Sequence, residues 1–157
     1  MPAIDQGEAV LNLSIRIAKI AQLLEIPIMG TEQSPMSLGS NIESIKSFCN
    51  KTISKEHFNA CADGLTEAIP NNRQQCILMG CETHVCLMQT ALKLIDEGYD
   101  VSVVVDGVGS RKKLDKQIAL ERLQAAGARL ITAEMLGFEW LKSAKNPAFK
   151  EVLALLK

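Results

Sequence analysis

Cys86 is the residue of this sequence whose position best suits it for chemistry. It comes six residues after Gly80, which closes the apolar run at 75–80, and it lies near the start of the amphipathic stretch 83–98. The free N–H groups and the dipole at such a helix start favour an anion, and the thiolate is the nucleophilic form of cysteine. Free cysteine is also commonly buried. The position alone therefore leaves two interpretations open: a nucleophile, or a small residue that fills space.

Other groups with reactive chemistry carry weaker signals. Cys81 and Cys86 are separated by four residues, a spacing that matches neither a CxxC redox pair nor paired zinc ligands, so a redox pair is a third and weaker hypothesis. His84 lies between them, but no second ligand cluster follows, and we predict no metal. Lys51, in FCNKTIS, is either a solvated charge or the electrostatic partner of a thiolate. Asp106 either caps a turn or reaches a ligand.

The elements that must position these residues alternate along the chain. Apolar runs that end at turn residues predict buried strands, and apolar residues at helical spacing predict helices. Predicted strands are 26–30, 75–80, 101–105 and 128–133, with a weaker one at 44–50. Predicted helices are 8–25, 54–65, 83–98, 114–127, 134–144 and a short one after Pro147; 31–41 reads as a loop. This pattern predicts one α/β domain over 1–157, a doubly wound parallel sheet flanked by helices, with ligands bound beyond the carboxyl ends of its strands.

Composition narrows the class of partner. The 157 residues are 47% hydrophobic and 22% charged, with a formal net charge of −1, so there is no electrostatic footprint for nucleic acid or for an anionic membrane. No window is long and apolar enough to span a bilayer, and the amino terminus does not resemble a secretory signal. The odd number of cysteines, five, favours reduced thiols and a cytoplasmic location. GVGSRK lacks the context of a nucleotide-binding turn, and we predict no cofactor.

The segments GCETHVCLMQTAL, GYDVSVVVDGVGSR and LERLQAAGARLITAEMLGFEWL resemble the isochorismatase-like cysteine hydrolase superfamily, in its small uncharacterised branch. The resemblance covers nearly all of the chain and implies a three-layer, Rossmann-like fold. It implies that Cys86 is the nucleophile and that Lys51 stabilises the thiolate. It also implies a cis peptide bond between Cys81 and Glu82, and an oxyanion hole formed by the N–H groups of Glu82 and Cys86. No cofactor is implied.

The loop after the predicted strand 26–30 and the start of the helix at 83 should line the substrate pocket. Thr31, Gln33 and Thr83 are the residues expected there. The histidines of the family's metal-binding nicotinamidases have no counterpart in TEQSPMSLGSN. The expected substrate is therefore a small molecule cleaved without metal, and nothing in the sequence identifies it.

The chain departs from the family at its start. The family places its aspartate at the end of a first strand, in the middle of the sheet between the strands predicted here at 26–30 and 75–80. No such apolar run is present, and AIDQ leaves only four residues before Asp5. We expect either an N-terminally shortened chain or an atypical role for Asp5. Loss of that strand would expose two strand edges and remove the general base.

Two classes of function follow. The first is a cysteine hydrolase that cleaves an amide-type C–N bond through a covalent intermediate. The second, prompted by the missing aspartate, is an oligomeric protein without catalysis that keeps the fold and binds a small molecule or a partner. A homo-oligomer is expected in both. Its interface, or else core packing, would use five apolar side chains near the carboxyl terminus: Leu136, Phe138, Trp140, Phe149 and Leu153.

Overall fold

Within the part of the chain that the structure describes, five parallel strands form two separate sheets. The computed structural model describes residues 3–157. The strands are β1 (Met29–Gln33), β2 (Lys51–Lys55), β3 (Gln75–Cys81), β4 (Asp100–Gly109) and β5 (Arg129–Ile131). One sheet pairs β1 with β2, and the other has the order β3–β4–β5. The predicted parallel α/β fold is confirmed, but its strands are divided between two sheets.

Helices cover both faces of the three-stranded sheet. In chain order, the helices of the described residues are α1 (Gly7–Leu23), α2 (Pro35–Leu38), α3 (Glu43–Lys46), α4 (Leu65–Ala68), α5 (Met88–Asp96), α6 (Lys113–Ala125), α7 (Ala133–Leu141) and α8 (Phe149–Leu156), and the last four of them and α1 pack on this sheet. A 3₁₀ turn spans Ala60–Asp63 and a π turn spans Thr83–Leu87. Over residues 3–157, the structure contains no helix with the length and apolarity needed to cross a bilayer.

The centre of the core is β4. Val103, Val104 and Val108 are fully buried because α5 and α6 pack on one face of the sheet, while α1, α7 and α8 pack on the other. Each such side chain contributes about 1.5–3 kcal/mol by leaving water. The apolar run VSVVV was sufficient to identify this strand. The strand continues through Asp106, which the sequence had predicted to begin a loop.

The first two strands lie later in the sequence than predicted. β1 covers Met29–Gln33 instead of 26–30, so Thr31 and Gln33 belong to a strand and not to a loop. β2 begins at Lys51, whereas the sequence predicted a strand at 44–50 and a helix from 54. The boundaries of both strands were mispredicted because TEQ and KTISK are rich in polar residues. Neither segment shows the apolar run of a strand buried on both faces.

The C-terminal apolar residues mainly serve the core. Leu136 is buried, and Trp140 and Phe149 pack against the same cluster. Phe138 is the member of the set that is clearly exposed, with 42% of its surface accessible. Core packing, one of the two interpretations left open by the sequence, accounts for most of these side chains.

Candidate functional site

Cys86 lies in the π turn that joins β3 to α5. The carbonyl of Glu82 accepts hydrogen bonds from the N–H groups of Val85 at 3.3 Å and Leu87 at 3.2 Å. The second bond spans five residues, which widens the turn around Cys86; such turns are frequent at functional sites. The cysteine side chain is half-buried and lies beyond the carboxyl end of β3, as the sequence predicts.

Gln33, the last residue of β1, connects Cys86 to a lysine. Its Oε1 lies 3.9 Å from the Cys86 Sγ and also accepts a hydrogen bond from the Nζ of Lys55. The Nε2 of the same amide donates to the carbonyl of Glu56 at 2.7 Å and contacts the Ser34 hydroxyl at 3.3 Å. These bonds orient the amide so that its oxygen faces both the ammonium and the sulfur.

Lys55 is an almost completely buried cation. Its side chain is 3% exposed, and its Nζ donates to the Gln33 amide oxygen and, at 3.2 Å, to the carbonyl of His57. None of the ion pairs found within residues 3–157 includes Lys55. A buried charge held only by neutral acceptors is costly, which makes this ammonium a strong local attractor for an anion.

Lys51, the lysine predicted from the sequence, does not lie at this site. It is the first residue of β2, is exposed and stands in register with Met29. Lys55 is in register with Gln33 at the carboxyl end of the strand, about 13 Å further along at 3.3 Å per residue. The predicted strand position of Lys51 was wrong, because Lys51 was expected near the end of a strand and instead begins one; its role beside the thiolate stays a prediction. No periodic signal in the sequence marked Lys55.

The loop around Glu82 has the expected backbone form. The peptide bond Cys81–Glu82 is cis, and the preceding Gly80 has φ +108°, a left-handed conformation that glycine adopts without strain. The Glu82 carboxylate accepts a hydrogen bond from the Arg111 Nε at 2.9 Å. This bond attaches the loop to the segment that follows β4.

Thr83 was expected to line the substrate pocket, but its side chain packs inside the fold. It is fully buried, and its hydroxyl donates to the carbonyl of Gly109 at 2.9 Å. The neighbouring ring of His84 contacts the Ser110 hydroxyl, with 3.0 Å between Nδ1 and Oγ. Thr31 is half-buried in β1, where its carbonyl accepts from the Asn41 side chain at 2.9 Å. Of the three predicted pocket residues, Gln33 alone contacts Cys86.

The two aspartates considered from the sequence lie beside β4 instead. The Asp5 N–H donates to the carbonyl of Ser110 at 3.0 Å, and its exposed side chain borders a cavity of about 120 Å³ together with Asp106. The Asp106 carboxylate accepts from the N–H of Ala133 at 3.0 Å at the start of α7. Capping, one of the two roles left open for Asp106, is its observed role. Neither aspartate is among the hydrogen-bond partners of Lys55 or Cys86.

The remaining thiols lie in environments that disfavour ionisation. Burial raises the pKa of Cys49, Cys61 and Cys81, and it raises the pKa of Cys76 to about 11. Cys86 is the thiol placed at the ends of three strands beside a cation. Across the described residues 3–157, no three histidine, cysteine or acidic side chains are arranged to hold a metal ion.

Comparison with known proteins agrees with this architecture. The isochorismatase domain model matches residues 2–135. Isochorismatase domain-containing protein 2 of Xenopus laevis is 37% identical over 150 residues, which is 94% of this chain and 73% of that protein.

Two solved structures share the fold. The MAR1 ribonuclease of Caenorhabditis elegans superimposes with a TM-score of 0.92 at 34% identity, over 99% of this chain and 82% of that one. The YcaC gene product of Escherichia coli, described as an octameric hydrolase of unknown specificity, gives 0.85 at 25% identity, over 95% and 75%. The chain has the fold of these hydrolases and belongs to the isochorismatase family.

Proposed function

We propose that this protein is a cysteine hydrolase that cleaves an amide-type C–N bond of a small molecule, with Cys86 as the nucleophile. The observation that carries the proposal is the convergence of three strand ends. The Gln33 amide oxygen accepts the Lys55 ammonium and stands 3.9 Å from the Cys86 sulfur. A thiol, a buried cation and a fixed dipole are thereby brought to one point at the carboxyl edge, where α/β proteins bind ligands.

Each group has a chemical role in this proposal. Lys55, which Gln33 links to Cys86, is assigned the role of electrostatic partner for the attacking sulfur. Gln33 holds both groups in place. The N–H groups of Glu82 and Cys86 are proposed as the oxyanion hole, in accordance with the family resemblance.

The reaction proceeds in two steps. The thiolate adds to the carbonyl carbon, the C–N bond breaks as the amine takes up a proton, and a thioester remains on Cys86. Water then attacks the thioester, which releases the acid, returns a proton to the medium and restores the thiolate. The lysine that assists is Lys55 and not Lys51, since Lys51 is exposed at the opposite end of β2.

A binding protein without turnover is the second candidate. The observation that favours it is the absence of any carboxylate paired with Lys55 among the residues described by the structure, since a carboxylate would serve as the general base. In that case, Lys55 and Cys86 would hold a small anionic molecule without breaking a bond in it.

RNA is the less favoured substrate. A Caenorhabditis elegans structure of this fold bears the name ribonuclease, but the net charge of this chain is −1, and binding to a polyphosphate backbone depends on clustered positive charge. We therefore include RNA in the test and expect no cleavage.

The test is a panel of small amides and one RNA, incubated with three proteins at neutral pH. The unaltered chain should release amine from at least one amide. Cys86→Ala should lower that rate about a thousandfold or more. The matched control Cys61→Ala removes another half-buried thiol and should stay within about twofold of the unaltered chain, because Cys61 lies outside the proposed site.

Labelling with iodoacetamide separates the two candidates. Cys86 should react first at neutral pH, because burial raises the pKa of the other four thiols. Fast labelling of Cys86 together with turnover supports the hydrolase, and fast labelling without turnover of any amide supports the binding protein. Equal labelling rates at all five cysteines would contradict both roles for Cys86.

We further propose that the protein is a cytoplasmic homo-oligomer. The YcaC structure with the same fold is described as octameric, and this chain exposes Met135 and Phe138 on α7, with accessible fractions of 47% and 42%. Light scattering across a range of concentrations measures the assembly, and a monomer at every concentration would contradict it. Fractionation of the source cells tests the location.

A further inference from the structure

We infer that His84 is a positioning residue of the proposed site, because its ring holds the backbone of residues 82–86 against the end of β4 and thereby aims the oxyanion hole. The two N–H groups proposed for that hole belong to Glu82 and Cys86, which lie two residues before and two residues after His84. The inference rests on the proposed function, since His84 has this task only if an oxygen atom is bound beside Cys86.

Three consecutive residues of this segment are bound to three consecutive residues at the end of β4. The contacts are 2.9–3.0 Å long and join Glu82 with Arg111, Thr83 with Gly109, and His84 with Ser110. No side chain caps the start of the π turn, so these contacts are the ones that attach its side chains to the sheet. The end of β4 therefore acts as a template for the backbone before Cys86.

The three contacts differ in their surroundings. Thr83 is fully buried, and its contact belongs to the core. The pair of Glu82 and Arg111 is open to water, with accessible side-chain fractions of 27% and 59%, and such exposed pairs contribute little. The His84 side chain is 23% accessible and rests on Ser110, which is buried. Of the three anchored residues, His84 is also the nearest in sequence to the nucleophile.

The far edge of the ring faces two carboxylates. The His84 Nε2 lies 4.0 Å from a carboxylate oxygen of Glu82 and 3.9 Å from one of Asp115 in α6. These distances exceed that of a hydrogen bond, but two nearby acceptors favour the tautomer that carries its hydrogen on Nε2. Nδ1 is then the acceptor for the Ser110 hydroxyl. The contacts on both edges orient the ring and join the π turn to β4 and to α6.

Orientation at this point has a direct effect on the proposed chemistry. An oxyanion hole works only when its donors lie about 2.7–3.1 Å from the oxygen that becomes charged. A misplacement of about 1 Å can cost a hundredfold in rate. A variant that frees the backbone of residues 82–86 should therefore weaken the binding of such an oxygen without removing the sulfur.

Two reagents separate the oxyanion hole from the thiol. With butyraldehyde, the Cys86 sulfur bonds to the carbonyl carbon, the C=O bond becomes C–OH with the thiol proton, and the oxygen occupies the place of the oxyanion. With iodoacetamide, the S–C bond forms as the C–I bond breaks, iodide leaves, and the thiol proton passes to the solvent. The experiment measures, by mass spectrometry, the butyraldehyde concentration that halves the alkylation rate of Cys86.

We expect His84→Ala to raise that concentration about tenfold or more, because the hole is no longer aimed. The alkylation rate without aldehyde should stay within about twofold, because alkylation places no oxygen in the hole. In His84→Asn, the side-chain amide can still contact the Ser110 hydroxyl, so the concentration should stay within about threefold. The matched control Lys93→Gln removes two surface ion pairs near the end of α5 and should behave as the unaltered chain.

A double variant tests whether the contact between His84 and Ser110 is the one that matters. Ser110→Ala should also raise the protecting concentration, and His84→Ala combined with Ser110→Ala should raise it no further than His84→Ala alone, since both changes remove one contact. Additive effects would overturn the inference. Circular dichroism checks the folding of each variant. Ser110→Ala removes a single oxygen atom and keeps the test decisive if His84→Ala does not fold.

Three results with the aldehyde would overturn the role of His84. They are equal protection of His84→Ala and the unaltered chain, a parallel loss of alkylation and protection in His84→Ala, and no protection of Cys86 in the unaltered chain. If the expected ranking appears but no amide is turned over, the positioning role stands and hydrolysis is excluded. If all five cysteines are alkylated at one rate, the proposed function fails and this inference fails with it.

Discussion

The two sheets of this protein divide structural support and chemistry between them. The three-stranded sheet has β4 enclosed between two layers of helices, with Val103 and Val104 completely buried. The two-stranded sheet contributes Gln33 and Lys55 from strands with polar residues and partly exposed surfaces. Cys86 belongs to the first sheet and its lysine to the second. The proposed site therefore depends on the relative position of the two sheets.

The largest difference between the two sheets should appear in stability. Leu94 on α5 is 1% exposed in the core of the three-stranded sheet, and Leu38 on α2, which follows β1, is 73% exposed. Leu94→Ala should lower the free energy of unfolding by about 2–5 kcal/mol, and Leu38→Ala by less than about 0.5 kcal/mol. Urea denaturation measures both. Similar losses from the two variants would contradict the division.

The same division explains which parts of the fold the sequence could predict. β3, β4 and the helices from α5 onward were predicted within a few residues, because strands buried on both faces consist of continuous apolar runs. The exception is that β4 extends four residues beyond its predicted end. β1 and β2 are half-covered and carry TEQ and KTISK, so their boundaries were wrong by several residues.

The residues of the proposed site were predictable to the extent that their strands were. The position of Cys86 beyond β3 was predicted correctly because the apolar pattern marks that strand clearly, and its role as nucleophile stays a prediction. The position of Lys55 beside Gln33 was not predicted, because it depends on where β2 begins and nothing in KTISK fixes that point. The register of Gln33 with Lys55 is set by strand pairing, which a single sequence does not encode locally.

The loss of a buried hydroxyl group should lower the stability of the protein more than the loss of an exposed one. The hydroxyl of Thr83 is buried and donates to the carbonyl of Gly109, and the hydroxyl of Ser54 in β2 donates to Glu32 from an exposed position. Thr83→Val leaves a buried carbonyl without its donor and should cost about 1–3 kcal/mol.

Two controls accompany that variant. Thr83→Ser keeps the hydroxyl and should cost less than Thr83→Val. Ser54→Ala should cost less than Thr83→Val, because Ser54 is exposed and the Glu32 carboxylate keeps its bonds from Asn41 and Lys46. Thermal or urea unfolding of the three variants makes the comparison, and equal stability of Thr83→Val and Thr83→Ser would show that packing dominates over the hydrogen bond.

The two lysines of β2 should differ in their effect on the reactivity of the Cys86 thiol. Lys55→Met removes the charge beside Gln33, and Lys51→Met removes an exposed charge at the other end of the same strand. Since a neighbouring opposite charge favours the ionised form of an acid, Lys55→Met should slow iodoacetamide labelling of Cys86 about tenfold at neutral pH. Lys51→Met should leave the rate within about twofold. If Lys51→Met slowed the labelling of Cys86 more than Lys55→Met did, the role proposed for Lys55 would belong to Lys51.

The smallest expected effect concerns the acid stability of the two-stranded sheet. The N–H of Asn41, the hydroxyl of Ser54 and the ammonium of Lys46 hold the pKa of the Glu32 carboxyl below its usual range. The unfolded chain therefore binds the proton more readily than the folded chain. The stabilisation is complete above the ordinary glutamate pKa of about 4.3 and is lost as the pH falls through the lower folded value.

Glu32→Gln tests this contribution, because the amide can still accept from Asn41 but carries no charge for Lys46. The variant should be less stable than the unaltered chain at pH 7, and the difference should shrink as the pH falls below about 4. Urea midpoints at pH 7 and at about pH 3 provide the measurement. A difference that stays constant between the two pH values would mean that Glu32 acts through its shape and hydrogen bonds alone, and that ionisation in the two-stranded sheet does not couple to folding.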